Sequence, residues 1–132
     1  MSAADEKRTP QPAGVSTTKR AYKRRPRVYV AGPITDTPGY QKAFEQVAET
    51  LRSMGVTPVN PATGAPPDLT YKEYIDRGLN LLARSDAICL LPAWQRSKGA
   101  KLERMYAETV GLQILYAVTL VDGSVRVLGR LK

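Results

Sequence analysis

From residue 27 onward, short apolar and β-branched runs alternate with segments in which apolar positions recur every three or four residues. Continuous apolar runs suit strands covered on both faces, and three-and-four spacing suits helices lying on them. The pattern therefore predicts an α/β fold of layered type with a mainly parallel sheet. A first strand is expected at 27–31, stopped by Gly32-Pro33. A helix over about 38–54 follows, with Tyr40, Ala43, Phe44, Val47, Ala48 and Leu51 on one stripe and Gly55 at its end. A short strand is expected near 56–60, and the three prolines and one glycine of 61–69 make a loop. A second helix, about 71–84, places Tyr71, Ile75, Gly78, Leu79 and Leu82 on its apolar side. The third strand is the run 86–91, followed by a polar loop at 92–98, a helix at about 99–111, and a strand at 113–118 that extends toward 121. Asp122-Gly123, between Leu120-Val121 and Ser124-Val125, signals a two-residue hairpin turn and hence an antiparallel C-terminal edge strand. There is no internal repeat, and 132 residues match the size of one domain.

Charge changes this picture only at the N-terminus. The net charge is +8, and residues 1–27 hold eight Lys/Arg against Asp5 and Glu6, so +6 of it lies there. The same stretch is rich in Pro, Ser, Thr, Ala and Gly and poor in large apolar side chains, which leaves nothing to offset the entropy of ordering it. Residues 1–25 are expected to be a disordered basic tail and 26–132 the folded domain. The tail lacks the apolar stretch of a secretory signal, and its early acidic pair argues against a transit peptide. Its cations would attract nucleic acid or another polyanion; a merely solvated extension is the plainer reading. No apolar run approaches the ~18–20 residues of a membrane span. The single cysteine, Cys89, lies in an apolar run and reads as a buried, inert thiol, which fits a reducing, cytoplasmic location.

The chain has no histidine, which removes Ser-His-Asp and Cys-His catalysis and nearly all zinc chemistry. Carboxylates, hydroxyls, amines and backbone groups remain. In open α/β sheets ligands gather beyond the carboxyl ends of the strands. Here that means the loops Gly32-Pro33-Ile34-Thr35-Asp36 and Pro92-Ala93-Trp94-Gln95-Arg96-Ser97-Lys98-Gly99, the second leading into a helix N-terminus that suits an anion. Taken singly, each loop is explained as well by strand-stopping glycine and proline. Neither a dinucleotide fingerprint nor a Gly-Lys-Ser/Thr phosphate loop is present. The sharpest residue is Glu103, which shares the i, i+3, i+4, i+7 positions of its helix with Tyr106, Ala107 and Val110, an apolar stripe. Either it is a desolvated nucleophile kept ionised by the helix dipole and by Lys98, Lys101 and Arg104, or it is a helix-start glutamate satisfied locally. Spacing alone does not choose.

Three segments together resemble the nucleoside 2-deoxyribosyltransferase superfamily: Tyr29-Val30-Ala31-Gly32-Pro33-Ile34, Ser85-Asp86-Ala87-Ile88-Cys89-Leu90-Leu91-Pro92, and Ser97-Lys98-Gly99-Ala100-Lys101-Leu102-Glu103-Arg104-Met105-Tyr106-Ala107. The resemblance covers about 27–117 and is greatest to small phage and bacterial members of uncharacterised function. It implies a flavodoxin-like, Rossmann-like three-layer fold and cleavage or transfer at the N-glycosidic bond of a nucleoside or nucleoside 5′-monophosphate, with no cofactor or metal. Glu103 matches the family glutamate that attacks the anomeric carbon, and Tyr29 a tyrosine that reaches the substrate. Ser97 stands where the nucleoside transferases have an aspartate and the monophosphate N-glycosidases a phosphate-binding serine. A phosphate would then be held by Ser97, the backbone N–H of Gly99 and the Gly32-Pro33-Ile34 loop, with charge from Lys98 or Lys101. Trp94 and Tyr40 are candidates for stacking on the base, weighed equally against a loop anchor and a helix-face residue. A homo-oligomer is expected by the same analogy.

One departure stands out. The family pattern Asp-Leu-Asn, whose aspartate helps deliver a proton to the leaving base, is here Gly78-Leu79-Asn80. Asp76 lies two residues away, a rotation of ~200° on a helix, so either another group supplies the proton, with Asp36 in the first loop as the candidate, or water does. A non-catalytic nucleotide-binding module, or a nucleic-acid-associated protein acting through its basic tail, are the alternatives to an enzyme.

Overall fold

The structure is a computed structural model and describes residues 24–131. The tail expected at 1–25 lies outside the described residues except for Arg24 and Arg25. Among the described residues, five strands and three α-helices follow in the order β1 Arg27–Ala31, α1 Tyr40–Ser53, β2 Thr57–Val59, α2 Tyr71–Ala83, β3 Ala87–Leu90, α3 Lys98–Val110, β4 Gln113–Thr119 and β5 Val125–Leu128. The sheet order is β2-β1-β3-β4-β5, parallel throughout except for the antiparallel β4–β5 pair. This is the expected α/β, flavodoxin-like arrangement, with element ends shifted by one or two residues. The loop after β3 also contains a 3-10 turn, Trp94–Arg96.

Alternation along β1 divides the core into two layers. Val28 and Val30 join Phe44, Val47 and Leu51 of α1, while Tyr29 and Ala31 join Leu82 of α2 and Ala107 of α3. β3 does the same, sending Ala87 and Cys89 to the first layer and Ile88 and Leu90 to the second. Cys89 is buried, and desolvation pushes its thiol up to about 12, as an inert thiol requires. The Asp86 carboxylate joins the start of the two central strands: it accepts from the Arg27 N–H at 2.8 Å and pairs with Arg24 at 3.0 Å.

Two expectations need correction. The α3 stripe buries Ala100, Glu103 and Ala107, whereas Val110 is half exposed, because the helix turns its small residues toward the sheet. The final hairpin has a three-residue loop instead of a two-residue one: the Gly123 N–H donates to the Leu120 carbonyl and the Leu120 N–H to the Ser124 carbonyl. Gly123, at φ +87°, supplies the left-handed residue that such a loop needs at its end.

Candidate active site

Two capped helices and one central strand build the site. Thr70 and Glu73 form a reciprocal capping box that fixes the start of α2, and Ser97 Oγ accepts the Ala100 N–H at 3.1 Å to start α3. Starting there, α3 turns Glu103 inward, and the residue is 8% exposed. Tyr29 points up from β1 and donates a 2.6 Å hydrogen bond to Glu103 Oε2. Gly78 of α2 closes the third side. A Cβ there would lie 2.6 Å from Glu103 Oε2 and 2.8 Å from Tyr29 Oη, so any larger residue would have to displace the ends of these two side chains.

Burial pushes the Glu103 carboxyl up to about 7, partly opposed by the Tyr29 hydrogen bond. The cations expected to hold it ionised are directed elsewhere. Lys98 and Lys101 are exposed, and Arg104 stacks over Trp94 at 5.2 Å and reaches Tyr116 and Glu108. Burial first, and then the adjacent Glu103 charge, hold the Tyr29 phenol far above its usual range, so it is a permanent donor.

Tyr29 and Glu103 line a pit of about 40 Å³ together with Gly32, Ile34, Tyr74, Ser97 and Gly99. It adjoins a broad depression of about 700 Å³ lined by Pro33, Asp36, Arg96 and Lys98. Ile34, Thr35, Tyr71 and Ser97 line both. The fold thus brings together Tyr29, Glu103, Gly32, Ile34, Ser97 and Gly99, with Pro33, Asp36 and Lys98 in the outer depression. Trp94 lines neither space; it packs on the second core layer beneath Arg104, which makes it a loop anchor. Tyr40 likewise makes an edge contact with Phe44, ring centroids 6.1 Å apart, on the face of α1. Asp76 faces solvent and pairs with Lys72 at 2.7 Å.

Both loops are held in uncommon backbone geometry. Asp36 and Ala93 are the two non-glycine residues with positive φ among the described residues, at +54° and +68°, a cost that clusters at ligand-binding loops. Gly32 is required by its neighbour, since a Cβ would meet Leu91 Cβ at 2.8 Å. Tyr74 was not among the expected site residues. Its position three residues after Tyr71 and four before Gly78 was the available signal, because residues so spaced share a helix face.

The fold is similar to that of a 2-desoxiribosyltransferase from Leishmania mexicana, with a TM-score of 0.55 and 22% identity over 76% of this chain and 78% of that one. No curated protein matches the sequence. The family model described as Domain of unknown function (DUF4406) matches residues 26–116, from the entry of the first strand to the fourth, and the chain belongs to that family.

Proposed function

We infer that the protein cleaves or transfers at the N-glycosidic bond of a nucleoside or nucleoside 5′-monophosphate, with Glu103 as nucleophile. The observation that carries this reading is a buried carboxylate, hydrogen-bonded by a permanent phenol donor, lining a pit at the carboxyl end of a parallel sheet. The similarity in fold to a deoxyribosyltransferase supports it. Breaking the bond builds positive charge on the sugar, which an anion at the anomeric carbon stabilises. A Glu103 oxygen bonds to that carbon as the carbon–nitrogen bond breaks, and the electron pair leaves with the base, which takes a proton. Water, or the nitrogen of a second base, then displaces the carboxylate. Asp36 is our candidate for relaying the proton. Tyr29 holds the carboxylate in place through its 2.6 Å bond.

Ser97 is the candidate phosphate ligand. Its cap uses one acceptor lone pair, and its O–H is left to donate to a phosphate oxygen. Lys98 in the outer depression adds charge. A second reading, a nucleotide-binding module without turnover, is favoured by Gly78, which leaves no carboxylate on α2 facing Glu103. Incubating the protein with ribo- and deoxyribonucleosides and their 5′-monophosphates, and separating free bases by chromatography, decides between them. Release that disappears in Glu103→Gln supports the enzyme; tight binding without release supports the module.

A further inference from the structure

Trp94 is turned into the second core layer and Tyr40 against Phe44, so neither is placed to stack on a base. The cavities point to another residue. The pit, at about 40 Å³, is close to the space of a single water molecule, ~30 Å³ in the liquid, and takes in no purine or pyrimidine ring. The adjoining depression, at about 700 Å³, is the size of an ordinary ligand site. A carbon attacked by Glu103 from the pit expels its leaving group on the opposite side, so the base lies toward the depression. Tyr71 is the only aromatic residue lining that depression, and it lines the pit as well. It is 59% exposed, and among the described residues its ring meets no other aromatic ring and its hydroxyl makes no hydrogen bond. Its backbone is held at the first position of α2 by the reciprocal Thr70–Glu73 hydrogen bonds of 3.1 and 2.9 Å, so the ring is carried on a fixed support.

We propose that the ring of Tyr71 is the platform on which the base stacks, and so forms the base subsite where the pit opens into the depression. The inference rests on the reading above, which sets the anomeric carbon at Glu103. Every base presents a flat π-face whatever its hydrogen-bonding edges, and an exposed aromatic side chain binds that face. Pro33, Ile34 and Pro38 bring apolar side chains to the same depression. Recognition through the face tells one base from another only weakly, so the ligand class is nucleosides and nucleotides of several bases.

The test uses the full chain and its Tyr71→Ala, Tyr71→Phe and Tyr71→Trp variants with the ribo- and deoxyribonucleoside 5′-monophosphates of adenine, guanine, cytosine and uracil. Affinity is measured by titration calorimetry and base release by chromatography. Tyr71→Ala is expected to weaken binding by about tenfold or more, whereas Tyr71→Phe, which keeps the ring, stays within about twofold of the native protein. The melting temperature of all three stays level, because the side chain is exposed and the helix cap does not involve it. In Tyr71→Trp the added indole emission is quenched by nucleotide beyond any change seen in the native protein, a signature that a structural role would not produce. Unchanged affinity in Tyr71→Ala, equal loss in Tyr71→Phe, an unquenched Tyr71→Trp, or no binding of any nucleotide overturns the proposal. Ring-dependent binding without base release leaves it standing and removes the glycosidic reaction. Base release with a KM unchanged by Tyr71→Ala does the reverse.

Discussion

The α-carbon of Gly78 faces the Tyr29–Glu103 pair so closely that a single methyl group would lie 2.6 Å from the Glu103 carboxylate. The bare α-carbon at this position therefore has a steric role of its own. It makes room for a hydrogen bond between residues 74 apart in sequence. Gly78→Ala gains up to ~1 kcal/mol of helix propensity but displaces both buried polar ends. We expect it to fold and to lose at least about tenfold in base release. Gly78→Asp sets a second carboxylate against Glu103, raises its pKa further and does not improve turnover. Steady-state rates of both variants, with circular dichroism to verify folding, check this; faster release by Gly78→Asp would show that the acid, and not the space, is limiting.

Glu103 makes stability and activity depend on pH in opposite directions. Its carboxyl titrates at about 7 in the folded chain against 4.5 when unperturbed, so the folded state favours the protonated form. The stability associated with that form is fully present below about 4.5 and is lost as pH rises to about 7, on the order of 3 kcal/mol. Denaturant titrations between pH 4 and 8 should show the decline, and Glu103→Gln should flatten it. Base release should rise with pH through about 7 as the nucleophile ionises, and Glu103→Gln should lower it by about a thousandfold or more.

Tyr29→Phe tests the hydrogen bond alone. Its loss should cost about 1–2 kcal/mol and remove the one interaction that favours the ionised carboxylate, so the pH midpoint of activity moves upward. A profile that keeps its midpoint while stability falls would assign Tyr29 a packing role only.

Ser97→Ala should act on two quantities that are separately measurable. Loss of the α3 cap costs about 0.5–2 kcal/mol in thermal or chemical denaturation. Loss of the hydroxyl weakens nucleoside 5′-monophosphates relative to the corresponding nucleosides. Ser97→Asp keeps the cap and repels phosphate, and should reverse the preference. Equal effects on both substrate classes would place the phosphate elsewhere.

Much of this protein is legible in one dimension. Strands buried on both faces read as unbroken apolar runs, and helices on them as three-and-four stripes. Their alternation leads to the parallel sheet, the edge hairpin and the inward direction of Glu103. The two loops at the strand ends follow from the same order. These features are local: each depends on residues within one or two turns of one another, which is the range over which side-chain periodicity carries information.

The remainder depends on which residues meet across the fold. Tyr29 could have been an ordinary strand tyrosine; its partner comes from a helix far along the chain, and only packing supplies it. The ionisation of Glu103 is not legible from its sequence neighbours, because Lys98, Lys101 and Arg104 lie beside it along the chain while burial and one phenol surround it in space. Gly78 stands where the resemblance expects an acid, and only the fold sets its bare α-carbon against the Tyr29–Glu103 pair; the unpaired hydroxyl of Tyr74 is likewise a property of its surroundings. Electrostatics and steric fit act through distance, and distances between segments come into being only when the sheet assembles and its helices settle on it.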